Sequence, residues 1–185
     1  MEERIRKMPP DRRQVVRVIK GLQALMFPMC FRREDPEMED EQLRQSTMAL
    51  LYTELCAAMR FREETAEDAG TKARSLCDAF IVRLPRIRET LLKDVDALYE
   101  GDPAAVSREE VMICYPGFYA ISIYRLAHEL QLLEAPLIPR IMTEFAHELM
   151  NLVHFLHHKG TLFIIGAEVD VQQYLLGVED VVVVE

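Results

Sequence analysis

Histidines, thiols and carboxylates are the groups in this sequence that could ligate, bind or react. His154 and His158 stand four apart, a spacing that puts two imidazoles on one helix face and can hold zinc when further ligands arrive. His157 falls off that face, and no cysteine or clustered carboxylate is close by in sequence. With Lys159 and Gly160 the trio reads as a helix stop, cationic last turn followed by glycine, and no metal site is expected. Cys30, Cys56, Cys77 and Cys114 are far apart and form no CxxC. They read as reduced thiols of a cytosolic protein, not as a disulfide framework. His128 and His147 lie among apolar residues and are expected to be hydrogen-bonded packing histidines, not general bases. Arg125 and Arg140, on otherwise apolar helices, could hold an anion, although salt bridges between subunits are the commoner use. Asp102, between Gly101 and Pro103, reads from the residues alone as a loop cap. The acidic segment 33–41 lacks the EF-hand spacing. Glycine-rich phosphate loops, GxSxG and HExxH are all missing. No catalytic residue and no cofactor-binding residue is assigned from spacing.

The elements that would position these groups read as helices. Asp11 can cap a helix carrying Val15, Val18, Ile19, Leu22, Leu25 and Met26, ended by Phe27-Pro28. An acidic linker around Pro36 precedes a long helix from about Glu39 to Glu63, with Leu43, Leu50, Leu51, Leu55 and Met59 on its buried side. The charged stretch from Arg60 to Lys72, containing Gly70, predicts a turn. A helix over about 71–83 buries Ala73, Leu76, Phe80 and Ile81. Pro85 restarts the chain, and Ile87, Leu91, Leu92, Val95, Leu98 and Tyr99 recur at a period near 3.6. Gly101-Asp102-Pro103 breaks that helix. Ser107-Arg108-Glu109-Glu110 has capping-box spacing and starts the next. Pro116-Gly117 is a second break, and Ile121, Tyr124, Leu126 and Leu130 follow at helical spacing. Pro136 and Pro139 fit a helix's first turn, and Ile138, Ile141, Met142, Phe145 and Leu149 form a wide stripe that runs on through Leu156.

Residues 11–158 therefore read as an all-α domain of about seven helices. Residues 1–10 are expected to be a flexible arm. Residues 159–185 form a β-prone tail whose runs are separated by Gly166 and Gly177. The chain has 185 residues, half of them hydrophobic, enough for one domain with a true core. A net charge of −9, with Lys and Arg spread along the chain, argues against a nucleic-acid partner. No apolar run approaches the ~20 residues that span a bilayer. The first residues lack the apolar core of a signal peptide, so a cytoplasmic location is expected. The ten methionines fall mostly on helical stripes as packing residues.

Three groups of residues carry a resemblance. They are Asp102-Pro103-Ala104-Ala105; Tyr115-Pro116 followed by Tyr124-Arg125-Leu126-Ala127-His128-Glu129-Leu130; and Pro136-Leu137-Ile138-Pro139-Arg140-Ile141-Met142-Thr143-Glu144-Phe145-Ala146-His147. Together they resemble the N-terminal helical domain of serine acetyltransferases, in the bacterial subgroup with a long helical N-terminus. The likeness extends more loosely back to about Val18, through Phe80 to Pro85 and Asp94-Val95. It implies transfer of an acetyl group from acetyl-CoA, the co-substrate, to the hydroxyl of L-serine, on the way to cysteine. It also implies a homo-oligomer, two trimers joined through helical domains, for which the stripes of 84–99 and 136–156 would suit an assembly surface. By position it gives Asp102 the role of holding the amino group of serine, a carboxylate facing an ammonium.

In the resembled family a histidine oriented by a carboxylate deprotonates the serine hydroxyl. Both lie in a left-handed β-helix of hexapeptide repeats that also binds CoA. The family's junction reads close to Ala-His-Ser, then Gly-Ile-Asp-Ile-His. Here Ala146-His147 is followed by Glu148-Leu149-Met150-Asn151-Leu152-Val153-His154. An ungapped register puts Val153 at the aspartate and Glu168 at the histidine, and residues 148–185 carry no hexapeptide repeat. The catalytic module is thus expected to be missing or replaced, with serine and acetyl-CoA engaged only if such a module completes the protein. Two readings follow: a serine acetyltransferase represented by its helical assembly domain, or a non-catalytic helical oligomerisation module.

Overall fold

The computed structural model describes residues 8–158 apart from 34, 63 and 64. The tail expected over 159–185 and most of the N-terminal arm lie outside the described residues. Those described form seven helices and no strand: α1 (Arg12–Met26), α2 (Asp40–Phe61), α3 (Ala66–Ile81), α4 (Leu84–Gly101), α5 (Arg108–Cys114), α6 (Pro116–Leu132) and α7 (Ile138–His158).

The starts follow the cap chemistry. Asp11 accepts the backbone N–H of Arg13 at 2.8 Å to open α1. Glu39 and Gln42 form a reciprocal box at α2. Thr65 accepts from the Asp68 N–H at 3.2 Å to open α3. Each side-chain acceptor satisfies an N–H that the helix cannot. Prolines at 85 and 116 sit in the first turns of α4 and α6.

Three expectations are corrected here. The stretch 60–72 is not one turn. Thr65 caps a helix already under way at Ala66, and Gly70 lies inside it, where an added Cβ would meet the Tyr52 hydroxyl oxygen at 3.3 Å. Pro136 precedes α7 instead of opening it: Leu137 takes φ 60°, and its turn is closed by the Ile138 N–H donating to the Pro136 carbonyl at 2.6 Å. Within the stripes of 84–99 and 136–156, the apolar positions whose side chains are described are wholly or partly buried. Ile87, Leu91 and Val95, and Ile138, Met142, Ala146 and Met150, are buried in one intrachain core. Their apolar area is removed from water by neighbouring helices of the same chain, so it is not available for a partner. The large exposed hydrophobics among the described residues lie elsewhere, at Met8, Met29, Phe61, Val82, Val106, Ile113 and Leu132.

Helix α1 lies against α2, α4, α6 and α7, and the two most extensive contacts of the second half are α6 on α7 and α4 on α6. The α1–α2 crossing is close because residue 21 has no side chain: a Cβ there would lie 2.2 Å from Thr47 Oγ1. Polar ties cross the core. Gln23 Nε2 donates to Ser122 Oγ at 2.6 Å, joining α1 to α6. Arg125 bridges both oxygens of Asp94 at 3.0 and 2.8 Å, joining α6 to α4. Phe27, Phe31, Phe118 and Tyr119 pack ring to ring, Phe27 edge-on to Phe118 at 5.9 Å, and tie the chain after α1 to α6.

Candidate functional site

The loop between α4 and α5 is built around Asp102. Helix α4 ends at Gly101, and Asp102 leaves it extended, φ −112° and ψ 106°, as a residue before proline must. Its side chain turns back on the loop. The Ala104 N–H donates to Oδ1 at 2.9 Å, and the Tyr115 hydroxyl donates to Oδ2. The Ala105 N–H closes the turn on the Asp102 carbonyl at 3.1 Å. The carboxylate is only 5 % exposed, and each oxygen has one internal donor. An ionised carboxylate offers about four acceptor positions, so two remain after the loop has used its share. The group is therefore held in place by the loop, with acceptor positions that the loop does not use.

Two neighbours stiffen that loop. Ser107 Oγ accepts from the Glu110 N–H at 3.1 Å. Glu110 in turn reaches one residue further back than a standard box, accepting from the Val106 N–H at 2.7 Å. Tyr115 ends α5 and begins α6, so its phenol couples the register of both helices to Asp102. The sequence gives Tyr115 only as part of a Tyr-Pro pair; that a hydroxyl thirteen residues away completes the aspartate depends on the path of α5.

The other candidates separate. His128 and His147 are exposed, not packed. Helical period carries each past the buried Ala127 and Ala146 to the outer face. His147 Nδ1 lies 3.3 Å from Asn151 Nδ2. Arg125 and Arg140 form their salt bridges within the chain: Arg125 to Asp94 as above, and Arg140 to Glu144 at 3.2 Å. His154, His157 and His158 fall in the last turns of α7, and their side chains lie outside the described part. Among the described residues no group of three or more His, Cys, Asp or Glu could hold a metal ion. All four cysteines are free. Burial pushes the Cys77 thiol up to about 12, with Asp78 adding to it, so the thiolate is suppressed. No described helix is long and apolar enough to cross a membrane.

One grouping goes against the sequence expectation of scattered cations. Arg17, Lys20, Arg32 and Arg33 converge on a cavity of about 240 Å³ beside the α1–α2 crossing. Arg17 and Lys20 are three apart on α1, a visible signal, but Arg32 and Arg33 are brought to them by the aromatic packing of Phe31.

No protein-family model matches the chain. A protein named serine acetyltransferase, plasmid, from Synechococcus elongatus is 35% identical over 152 residues, covering 75% of this chain and 47% of that protein. The match falls on the N-terminal portion of that protein. A serine acetyltransferase of Synechocystis sp. is 42% identical over 57 residues, 31% of this chain and 23% of that protein. Among solved structures, Entamoeba histolytica serine acetyltransferase 1 in complex with L-cysteine aligns with a TM-score of 0.59 at 26% identity, over 73% of this chain and 47% of that one. The chain thus spans about half the length of the relatives that match most of it.

Proposed function

From the relationship of this chain to the N-terminal helical part of the serine acetyltransferases, we propose that it provides the helical platform of a serine O-acetyltransferase, with Asp102 as the carboxylate that holds the ammonium of L-serine. The supporting observation is the state of Asp102: buried, fixed by Ala104 N–H and Tyr115 O–H, with acceptor positions left over. A pre-oriented, poorly solvated carboxylate binds an ammonium more strongly than a mobile one on the surface. Acetyl transfer itself needs a base that takes the serine hydroxyl proton, and acetyl-CoA as donor. Neither is assigned to residues of α1 to α7.

A second reading is favoured by Val153. It occupies α7, at the position where the family's register calls for the catalytic aspartate. A valine cannot orient an imidazole. On this reading the domain is a non-catalytic assembly module, which self-associates or joins a complete enzyme through exposed apolar residues such as Val106, just before α5, and Ile113, within it.

One experiment separates the two. The full chain is incubated with acetyl-CoA and L-serine, and released CoA is read with a thiol reagent. No release above background is expected from this chain alone, with L-serine binding weakened in Asp102→Asn if the platform reading holds. Serine-dependent release on the order of 1 per second or faster overturns the non-catalytic reading. Equal serine binding by the parent and Asp102→Asn overturns the role of Asp102. A stable monomer at micromolar concentration in sedimentation counts against assembly.

A further inference from the structure

The burial of Asp102 raises the matter of access. Its carboxylate is 5 % exposed, so an ammonium arriving from solvent reaches it only when what covers it moves aside. Both of its side-chain donors belong to one segment, residues 103–115. The Ala104 N–H bonds to Oδ1 at one end, and the Tyr115 hydroxyl bonds to Oδ2 at the other. Asp102 and Tyr115 stand thirteen residues apart. Their bond draws the two ends together in the manner of an Ω-loop, with the carboxylate at its neck.

The segment is stiff inside. The Ala105 N–H donates to the Asp102 carbonyl, the Glu110 N–H to Ser107 Oγ, the Val106 N–H to Glu110 and the Val111 N–H to the Ser107 carbonyl. These bonds begin and end within 102–111, so they keep its shape whether or not it is seated on the rest of the fold.

It is lightly held outside. Of residues 103–114 only Val111 is buried. Arg108 pairs with Asp96 and lies 4.9 Å over the Tyr99 ring, both on α4. That ion pair is about half exposed on each side, the kind that adds little. Met112 Sδ lies 3.9 Å from Cys30 Sγ. Val106 is 81 % exposed and Ile113 61 %, so neither apolar side chain anchors the segment. The helices that carry its ends are joined far more firmly, by the two-pronged bridge from Arg125 to Asp94 and by buried Leu91, Val95, Phe118 and Ile123. A segment with one buried side chain and screened polar ties opens more readily than the helices beneath it.

We propose that residues 103–114 are a strap that controls access to Asp102, latched shut by the Tyr115 hydroxyl. Breaking the latch lets the stiff segment lift from α4 as a unit and bares the carboxylate. An ammonium enters, and the strap closes again over the ion pair. Closure keeps water from the pair and so strengthens it. Admission of the ammonium of serine rests on the role proposed for Asp102 above; the opening of the strap stands without it.

The test uses the full chain and reads two rates. One is hydrogen exchange at the bonded amides of Ala104, Ala105, Glu110 and Val111. The other is the initial rate at which a carbodiimide couples the Asp102 carboxyl to glycine ethyl ester, followed by peptide mapping. In the parent the strap amides should exchange at least about tenfold faster than the interior amides of α4 and α6. Arg108→Gln, which removes only a half-exposed tie, should raise both strap rates together by about threefold or more and leave α4 and α6 unchanged. Tyr115→Phe removes the latch and should raise both by about tenfold or more. Strap amides that exchange no faster than α4 and α6, rates unchanged in Arg108→Gln and Tyr115→Phe, or faster exchange without faster coupling at Asp102 each overturns the proposal. Millimolar L-serine should slow the coupling. Coupling that follows the strap in both variants but ignores L-serine overturns Asp102 as the serine carboxylate and supports the strap, so the two failures are told apart.

Discussion

Two junctions of the molecule solve the same problem, ending one helix and beginning the next, in opposite ways. The α4–α5 junction is written in side chains. Asp102, Ser107 and Glu110 each accept from a particular backbone N–H, the Tyr115 hydroxyl donates to Asp102, and no non-glycine residue there has positive φ. The α6–α7 junction is written in the backbone. Glu134 takes φ 59° just past α6, with the Ala135 N–H donating to the Leu130 carbonyl at 3.0 Å and the Glu134 N–H to Gln131 at 2.9 Å. That is the Schellman pattern, normally made with glycine at the left-handed position. Leu137 then takes φ 60° in a second tight turn. Two non-glycine residues in this region cost stability. The packing of Ala135, Pro136, Ile138 and Pro139, all buried, holds them there. A junction built from side chains can carry chemistry, while one built from strain carries only geometry.

The contrast is broken most directly at Asp102. Asp102→Ala leaves the Tyr115 hydroxyl and the Ala104 N–H without their acceptor, and urea unfolding should lose about 3 kcal/mol. Asp102→Asn keeps one oxygen for Ala104 and should lose less than half as much. Ser107→Ala removes a single cap and is expected to cost about 1 kcal/mol in the same measurement. The strained junction should respond in the other direction: Glu134→Gly relieves the left-handed strain, partly offset by the greater freedom of the unfolded chain, for a net gain of about 0.5 kcal/mol. Glu134→Val should lose stability, and a loss in the glycine variant would mean that Glu134 is held by something other than backbone geometry.

The smallest effect belongs to the open start of α2. There Arg44, then Gln45, donate to Glu41 and hold its carboxyl down from 4.5 to about 2. A lowered carboxyl contributes stability that is present above 4.5 and is lost as pH falls towards about 2. The group is fully exposed, so only a shallow slope is expected. Glu41→Gln should flatten it in acid melts, and an unchanged profile would show that the contact is not maintained in solution.

Helix starts were legible wherever the cap is local. Asp11, Glu39, Ser107, Pro85 and Pro116 mark boundaries through groups within three residues of the helix, and the sequence placed them well. The errors share a cause. Gly70 looks like a break, yet it lies in α3, where the Tyr52 hydroxyl comes close. Pro136 looks like a helix opener because the turn at Leu137 has no sequence signature. The apolar stripes of α4 and α7 were legible as stripes, but not which surface covers them. At the candidate site Asp102 was visible, and its partner Tyr115 was not. The cations at 17, 20, 32 and 33 looked scattered because only the folding of Phe31 onto Phe118 and Tyr119 brings them together.

The contact between Gly21 and Thr47 bears on how this domain can drift over generations. Because a methyl at 21 would collide with the threonine, neither position can change freely while the other stays fixed. A bulkier residue at one site should arrive only in lineages where the other has already shrunk, so the two should co-vary as a pair across related sequences.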